Sequence, residues 1–336
     1  GPTWPNRMFV HAATSAGQID NNVHENAYNI DTIYDRLDEK GEPWKIYFHD
    51  FPQSIALIHL QKDFVVENRF RLFADFLEDA AQGHLPAYSF IEPRYTDFLF
   101  IKANDQHPPH DVALGEHLIA DVYEAVRDSP QWNQTALIVL WDEHGAFYDH
   151  VPPPPAVNPD NKVSVDPACD FKRLGVRVPA LIISPYVTKG TISNTTYDHT
   201  SVLATVEKRF GLRSLTNRDA AAATFESVFG STLRTDAPLK LDRPTDAVAL
   251  SDYEKSKSAL AELTNDAVRD ALRAFDFSKT PATEFQISLV KLAKSIFVRG
   301  ETQLAAAIRL SQWADIEHDA AAHLREFSSK FFSHIF

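Results

Sequence analysis

The stretch Ala136-Leu137-Ile138-Val139-Leu140-Trp141-Asp142-Glu143-His144-Gly145 decides the fold class. Its first six residues are apolar and include large and β-branched types, which predicts a fully buried strand. The side chains of Asp142, Glu143 and His144 follow that strand immediately. In open α/β sheets, ligands bind beyond the carboxyl ends of the strands. This triplet is therefore a candidate site for a hard cation and for proton transfer.

A solvated acidic turn is the alternative interpretation of the same triplet. We favour a functional site because Asp149 and His150 fall within the same nine positions, 142–150. Gly145 would let the backbone bend or approach a ligand closely.

The composition indicates a globular protein and excludes several classes. The chain has 336 residues, of which 44% are hydrophobic and 24% charged, enough for one large core and an appendage. The net charge of −13 argues against a nucleic-acid binder, because such proteins need surplus basic residues to neutralise phosphates. The single Cys169 excludes an internal disulfide and a cysteine-rich zinc module. No apolar run approaches the roughly 18 residues of a membrane span.

Predicted strands alternate with predicted helices, which is typical of a mostly parallel α/β sheet sandwiched by helices. The predicted strands cover residues 44–48, 87–91, 136–141 and 177–185, and the predicted helices cover 29–37, 63–82, 111–127 and 202–210. Thr3, between two prolines, is predicted to be extended or in a turn. From about Asp252, helical patterns continue without strand signals. We therefore predict a core over residues 1–235 and a mainly helical region over 236–336.

Polar side chains recur where the predicted strands end. They are His49, Asp50, Glu92, Asp142, Glu143, His144, Asp198 and His199, together with His107 and His110 of the loop 104–111. The carboxyl ends of parallel strands share one edge of a sheet, so we expect these side chains to converge. A solvated, capped loop is the alternative for His107 and His110. For Asp198 and His199 the alternative is an N-terminal cap of the following helix.

Several ordered motifs resemble the phosphoesterase family, which holds non-specific phospholipases C and related acid phosphatases of the alkaline-phosphatase-like superfamily. Residues 142–152 are similar to the family signature Asp-Glu-His-Gly-Gly-Phe-Tyr-Asp-His-Val-Pro, and residues 3–7 resemble its Thr-x-Pro-Asn-Arg motif. Further matches, in the same order, are residues 9–15, 91–95, 103–112, 174–185 and 197–201. One such match alone would be weak, but several in order make a chance resemblance very improbable.

The resemblance implies a fold, an activity and roles for individual residues. The implied fold is α/β and alkaline-phosphatase-like, and the implied activity is hydrolysis of phosphoric esters through a phospho-threonine at Thr3. Asp142 and Glu143, with the oxygen of Thr3, would bind a divalent metal ion of unidentified kind that lowers the pKa of the hydroxyl. The proton donors would be His107, His49, His199 and His144, and the contacts to the substrate phosphate would be Asn6 and His110.

Two departures from the family pattern bear on this site. The family carries Glu-Asn-Arg-Ser-Phe-Asp upstream of its threonine motif, and that Glu and Asn complete the metal site. Here the chain opens at Gly1 without an initiator Met, so we expect a missing N-terminal segment of the same protein to supply them. Residues 67–70 are similar to that motif but fall on a helical pattern, and we interpret them as coincidence. The second departure is Ala146 in place of Gly, which is tolerated if its φ angle is negative.

The expected function is that of a phospholipase C that cleaves glycerophospholipids to diacylglycerol and a phosphorylated headgroup. The alternatives are an acid phosphatase acting on soluble monoesters, or an inactive fragment or binding module.

The expected partners are a phospholipid or another phosphate ester, and a membrane surface. Four phenylalanines near the C-terminus would suit that surface, with core packing as their alternative role: Phe327, Phe331, Phe332 and Phe336. The resemblance also favours a secreted or periplasmic location.

Overall fold

The computed structural model describes residues 1–22, 28–50, 52–65, 69–97, 101–165, 168–262 and 292, and these residues form an α/β protein, as predicted. Of the helical region expected over residues 236–336, the part beyond residue 262 lies outside the described residues except for residue 292, and so do residues 67 and 68 of the motif-like stretch 67–70. None of the described helices is both long and apolar enough to cross a bilayer.

The described helices and strands alternate along most of the chain. The helices are α1 (Thr3–Ala12), α2 (Ile33–Lys40), α3 (Ile58–Val65), α4 (Phe73–Gln82), α5 (Val112–Asp128), α6 (Thr200–Phe210), α7 (Asn217–Ala221) and α8 (Ala247–Glu262). The strands are β1 (Trp44–Phe48), β2 (Phe70–Leu72), β3 (Tyr88–Ile91), β4 (Leu137–Leu140), β5 (Ser164–Val165), β6 (Ala168–Cys169) and β7 (Ala180–Ile183). The strands β5 and β6 form a small antiparallel pair of their own.

A three-stranded parallel sheet has the order β2-β1-β3, with Ile46 of β1 paired to Phe70 on one side and to Phe90 on the other. The prediction of one helix over residues 63–82 is wrong at its centre. There the chain leaves α3, forms β2 and then enters α4. Local spacing suggested a helix, but the ladder with β1 and the burial of Phe70 are long-range gains that override it.

A second sheet pairs β4 with β7, and this pair runs antiparallel, with Val139 opposite Leu181. Both strands were expected to be fully buried, and that expectation is wrong. The residues of β4 are half-buried, and Leu181 of β7 is 47% exposed. Within the described residues, neither β4 nor β7 pairs with the three-stranded sheet.

The two sheets nevertheless lie in one layer between the same helices. On one face, Phe90 of β3 and Ile138 of β4 pack into a cluster with Val10 of α1 and Val202 of α6. On the other face, residues of β3, β4 and β7 share a cluster with α4 and α5. Because both faces of β3 and β4 are covered, we attribute their remaining exposure to their unpaired edges. We call this discontinuity between β3 and β4 the sheet break.

The helix boundaries follow from specific capping residues. Asp111 caps α5 as predicted, because its side chain accepts a hydrogen bond from the amide of Ala113 at 3.0 Å. Gly83 and Gly211 end α4 and α6 with positive φ angles, also as predicted. The helix predicted to start at residue 29 instead starts at Ile33, since Thr32 forms the capping box there.

A fully buried carboxylate, that of Glu92, joins the end of β3 to the segment after β1. It accepts hydrogen bonds from the amides of Gln53 and Ser54 at 2.7 and 3.1 Å. It also accepts hydrogen bonds from the hydroxyls of Ser54 and Tyr95 at 2.6 and 2.7 Å. Glu92, one of the polar residues expected at a strand end, therefore has a structural function in this network.

We expect Glu92→Ala to lower the free energy of unfolding by about 3–5 kcal/mol, because four donors would lose their buried acceptor. Urea denaturation measures this loss. The matched control is Glu226→Ala, since the side chain of Glu226 is 67% exposed and its ion pair with Lys208 lies at the surface; its loss should stay below about 1 kcal/mol. Equal losses for the two variants would contradict this account of Glu92.

Candidate functional site

The first turn of α1 carries the candidate nucleophile. Thr3 is the first residue of this helix and is buried, so the prediction that it lies in an extended or turning segment is wrong. Pro2 precedes the helix in an extended conformation, and Pro5 falls in the first turn, where a proline loses no intrahelical hydrogen bond. The amino end of a helix presents free amide groups, and an anion such as phosphate is favoured there.

Arg7 connects this helix to the acidic end of β4. Its Nε donates to Oδ2 of Asp142 at 3.1 Å, and its guanidinium also donates to the hydroxyl of Tyr95, which follows β3. Burial acts to lower the pKa of Arg7, but Tyr95 and Asp142 raise it overall. Thr3 lies one helical turn before Arg7 on the same face. The guanidinium therefore holds the end of α1 that carries Thr3 against the carboxyl ends of β3 and β4.

The carboxylates of Asp142 and Glu143 lie near the start of the chain. Burial lowers the pKa of the Gly1 amino group, while the charges of Glu143 and Asp142 act to raise it. Asn6, the candidate phosphate contact, donates its side-chain amide to the carbonyl oxygen of Gly1 at 2.6 Å. The hydrogen bonds of Asn6 to Gly1 and of Arg7 to Asp142 place the two predicted residues Asn6 and Asp142 near the start of α1.

Trp141 brings two further predicted segments to this region. Its carbonyl oxygen accepts a hydrogen bond from Nε2 of His199 at 3.0 Å. Its indole Nε1 donates to Oε1 of Gln106 at 2.6 Å, which anchors the loop of His107 and His110. Asp198 accepts a hydrogen bond from the amide of Thr200 at 2.8 Å, so it has the capping function that was the alternative for this residue.

The loop 104–111 contains an aspartate–histidine pair. Nδ1 of His110 lies 2.6 Å from Oδ1 of Asp105, and both side chains are almost completely buried. Burial acts to lower the pKa of His110, but the hydrogen bond to Asp105 and the charges of Asp105 and Asp97 raise it overall. The imidazolium form of His110 is therefore favoured. His107 instead bonds through Nδ1 to the carbonyl oxygen of Pro108, at 2.7 Å.

His49 has the opposite environment. Burial, followed by the charge of Arg94, lowers its pKa to about 3, so it is neutral at neutral pH. Its Nδ1 lies 2.9 Å from the carbonyl oxygen of Glu92, and its ring stacks on Phe73. Because a carbonyl oxygen only accepts, Nδ1 carries the hydrogen and Nε2 is left as an acceptor.

The turn after Glu143, residues 144–149, contains two consecutive positive φ angles, at Gly145 (59°) and Ala146 (61°). Ala146 therefore does not meet the condition of a negative φ angle under which its methyl group would be tolerated without strain. A side chain in this left-handed region costs about 1–2 kcal/mol. Nδ1 of His144 accepts the amide of Ala146 at 3.1 Å, a bond within the turn. Because Phe147 and Tyr148 lie at its tip, we call residues 144–149 the aromatic turn.

Asp149 and His150 do not join the candidate metal ligands. Arg177 donates two hydrogen bonds of 2.7 Å to the carboxylate of Asp149 and lowers its pKa. His150 is largely exposed.

One group of described residues has the spacing of a metal site. Single ligand atoms of Asp31, Asp35 and His59 lie within 4.8 Å of one another, and no other group of three or more His, Cys, Asp or Glu in the described part of the chain does so. Asp31 already pairs with Arg36, and Asp35 accepts from Thr32. The oxygens of Asp142, Glu143 and Thr3 suit a hard cation, but they do not form such a group by themselves.

Several residues of the site were not predicted from the sequence. They are Arg7, Tyr95, Asp105 and Gln106. Arg7 had a usable signal, because it stands four positions after Thr3 in a segment that forms a helix. The contacts of the other three depend on loop conformations, and local spacing does not encode these.

The fold and the site define an α/β protein with an anion-favouring helix start next to paired carboxylates. The chain belongs to the phosphoesterase family, whose model matches residues 1–213. This result confirms the family resemblance that the ordered motifs indicated.

Curated proteins of plants and bacteria are also similar to this chain. Non-specific phospholipase C6 of Arabidopsis thaliana is 41% identical over 290 residues, which cover 79% of this chain and 56% of that protein. Non-specific phospholipase C3 of the same plant is 41% identical and covers 71% and 49%. Phospholipase C B of Mycobacterium tuberculosis is 31% identical and covers 68% and 50%. The chain thus spans about half the length of these relatives.

We expect Asp105→Asn to lower the pKa of His110, because the charge and the hydrogen-bond acceptor that favour the imidazolium are weakened. Titration of the imidazole by NMR measures this change. Because the pKa of His110 is raised in the folded state, its protonation stabilises the fold at pH values below the ordinary histidine pKa of about 6.5. This stability is lost as pH rises through the raised value, so the difference in stability between wild type and Asp105→Asn should shrink with increasing pH.

The control is Asp111→Asn in the same loop, because asparagine also caps helices and Asp111 bonds to Ala113 rather than to His110. It should leave the pKa of His110 unchanged. An unchanged pKa in Asp105→Asn would show that Asp105 does not hold the proton on His110.

Proposed function

We propose that residues 1–235 form most of the catalytic core of a phosphoric ester hydrolase of phospholipase C type. The observation that carries this proposal is the Arg7 bridge, in which Arg7, one helical turn after Thr3, donates a hydrogen bond to Asp142. Family membership and the names of the relatives support the class of reaction. The proposed substrate is a glycerophospholipid, and the products are diacylglycerol and a phosphorylated headgroup.

Thr3 is the proposed nucleophile. Its hydroxyl oxygen attacks phosphorus, a bond forms between Thr3 and the phosphoryl group, and the bond from phosphorus to the glycerol oxygen breaks. Water then hydrolyses the phospho-threonine and regenerates the hydroxyl. The amide groups at the start of α1 and the side chain of Asn6 are suited to contact phosphate oxygens. The buried position of Thr3 would limit competing reactions with bulk water.

Two histidines with opposite pKa shifts are suited to the proton transfers. His49 is neutral, and its Nε2 could accept the proton that Thr3 gives up. His110 favours the charged form and could donate a proton to the glycerol oxygen or neutralise phosphate charge. Pairs of titratable groups whose pKa values diverge are typical of acid–base assignments. His107, His144 and His199 stay candidates for the same functions.

The proposed metal ligands are Asp142, Glu143 and the oxygen of Thr3. A bound divalent cation would lower the pKa of the Thr3 hydroxyl. These residues supply the hard oxygen donors that such a cation prefers, and Arg7 keeps one oxygen of Asp142 oriented. Hard cations usually take six or more oxygen ligands, part of them water. Because the family resemblance implies a further Glu and Asn at this site, we propose that a segment outside residues 1–336 supplies them.

The sheet break indicates where those ligands could enter. The edges of β3 and β4 are unpaired within the described residues, and Arg7 contacts the residues that follow both strands. A segment preceding Gly1 that adds a strand between β3 and β4 would end beside Asp142. Its side chains at that end could complete the metal site, as the family resemblance implies.

We expect Thr3→Ala to reduce kcat by about 10³-fold or more in a chain extended with its natural upstream sequence, because the nucleophile is lost. Thr3→Ser keeps a hydroxyl and is the matched control, which should retain much of the activity. Hydrolysis of phosphatidylcholine and of p-nitrophenyl phosphate measures both variants, with acid quenching to trap the phosphoenzyme.

The same assays decide between the alternatives. Hydrolysis of p-nitrophenyl phosphate but not of phosphatidylcholine would indicate an acid phosphatase and contradict the phospholipase function. Full activity in Thr3→Ala would exclude Thr3 as the nucleophile. If neither ester is hydrolysed in the presence of divalent metals, the chain is a binding module or an inactive fragment.

We expect the upstream segment to protect the edges of the sheet break. Amide hydrogen exchange of β3 and β4 should slow by about tenfold or more in the extended chain, because their edge groups gain strand partners. The amides of β1, which already pairs on both sides, are the internal control. Equal exchange of β3 and β4 with and without the segment would contradict strand insertion.

A further inference from the structure

The tip of the aromatic turn projects two large rings into solvent. The side chain of Phe147 is 79% exposed and that of Tyr148 is 91% exposed. They are adjacent in sequence and begin five positions after Asp142. Single exposed apolar residues are common on protein surfaces, but an exposed aromatic pair beside a candidate active site indicates an interaction surface.

The aromatic turn is held at both ends. At its start, the amide of Phe147 donates to the carbonyl oxygen of His144 at 3.0 Å. At its end, Asp149 accepts the paired hydrogen bonds from Arg177 and a further one from the amide of Val151, at 3.1 Å. The rings are therefore presented by a fixed turn, and the turn loses little conformational entropy when the rings bind to a partner surface.

Cationic side chains lie along the ribbon that continues from this turn. Residues 154–156, which follow the turn, pair antiparallel with residues 172–174, and we call these two segments the cationic ribbon. The amide of Ala156 donates to the carbonyl oxygen of Lys172, and Pro155 forms a β-bridge with Arg173. Lys172 and Arg173 are exposed and form no ion pair with any described residue. In a chain of net charge −13, this ribbon is a local cationic surface.

We propose that the aromatic turn inserts its tip into the headgroup region of a phospholipid bilayer, with Lys172 and Arg173 contacting lipid phosphates. The amphipathic ring of Tyr148 favours the interface between water and lipid, and the apolar ring of Phe147 favours the acyl boundary below it. Exposed lysines and arginines are attracted to anionic headgroups. A soluble phosphomonoester would need neither feature. The proposal rests on the proposed phospholipase function, because it explains how a headgroup ester would reach Asp142 and Glu143.

The direct test is sedimentation of the chain of residues 1–336 with phosphatidylcholine vesicles, with and without phosphatidylserine. The double variant Phe147→Ser/Tyr148→Ser should bind both kinds of vesicle about tenfold or more weakly, because the buried apolar area is lost. The matched control is Ile192→Ser, since Ile192 is 83% exposed but lies outside the aromatic turn. It should bind like the wild type.

The variant Lys172→Gln/Arg173→Gln tests the cationic ribbon separately. It should lose affinity for the phosphatidylserine vesicles and weaken the salt dependence of binding, with little change for phosphatidylcholine alone. Thermal unfolding verifies that each variant is folded. Because these measurements need no turnover, a failure of the catalytic proposal does not affect them.

Two results would overturn the proposal. One is equal vesicle binding by the wild type and the Phe147→Ser/Tyr148→Ser variant. The other is a wild-type dimer that this variant dissociates while vesicle binding stays the same, because the aromatic turn would then contact a second copy of the chain.

Discussion

The hydrogen bonds of the largely buried guanidinium of Arg7 are the interaction on which the candidate site depends. It bonds to Asp142 after β4 and to Tyr95 after β3, and Tyr95 in turn donates to the buried Glu92. A buried charge is stable only when it is paired and hydrogen-bonded. Both strand ends and the first turn of α1 are therefore held at one place. The bridge thus links the helix that begins with Thr3 directly to the carboxylate of Asp142.

The sheet break is the second constraint. Two sheets share the same covering helices on both faces, yet β3 and β4 do not pair in the described part of the chain. Open strand edges leave apolar side chains in water and present unpaired N–H and C=O groups that can pair with another strand. The same break lies beside Asp142, one of the proposed metal ligands. The open strand edges and the proposed metal site therefore share one location.

Environment gives chemically identical side chains different functions in this protein. His49 is neutral because burial and Arg94 oppose its charge, whereas His110 favours the charged form because Asp105 is next to it. The carboxylates of Glu92 and Asp142 differ in a similar way. Glu92 is enclosed by four donors and has a structural function, whereas Asp142 is partly exposed at the strand end. The sequence alone predicts that all four residues converge at one edge of the sheet and does not separate these environments.

Short-range patterns in the sequence determined the α/β class, the strand β1, the cap of α5 at Asp111 and the ends of α4 and α6 at glycines. These features depend on neighbouring residues, so local spacing encodes them. The ordered motifs determined the family. Only the tertiary structure decided that Phe70 lies in a strand, that Thr3 begins a helix, that β7 is antiparallel and that Ala146 has a positive φ angle. Each of these depends on partners far away in the chain or on the path of a loop, and no local period carries that information.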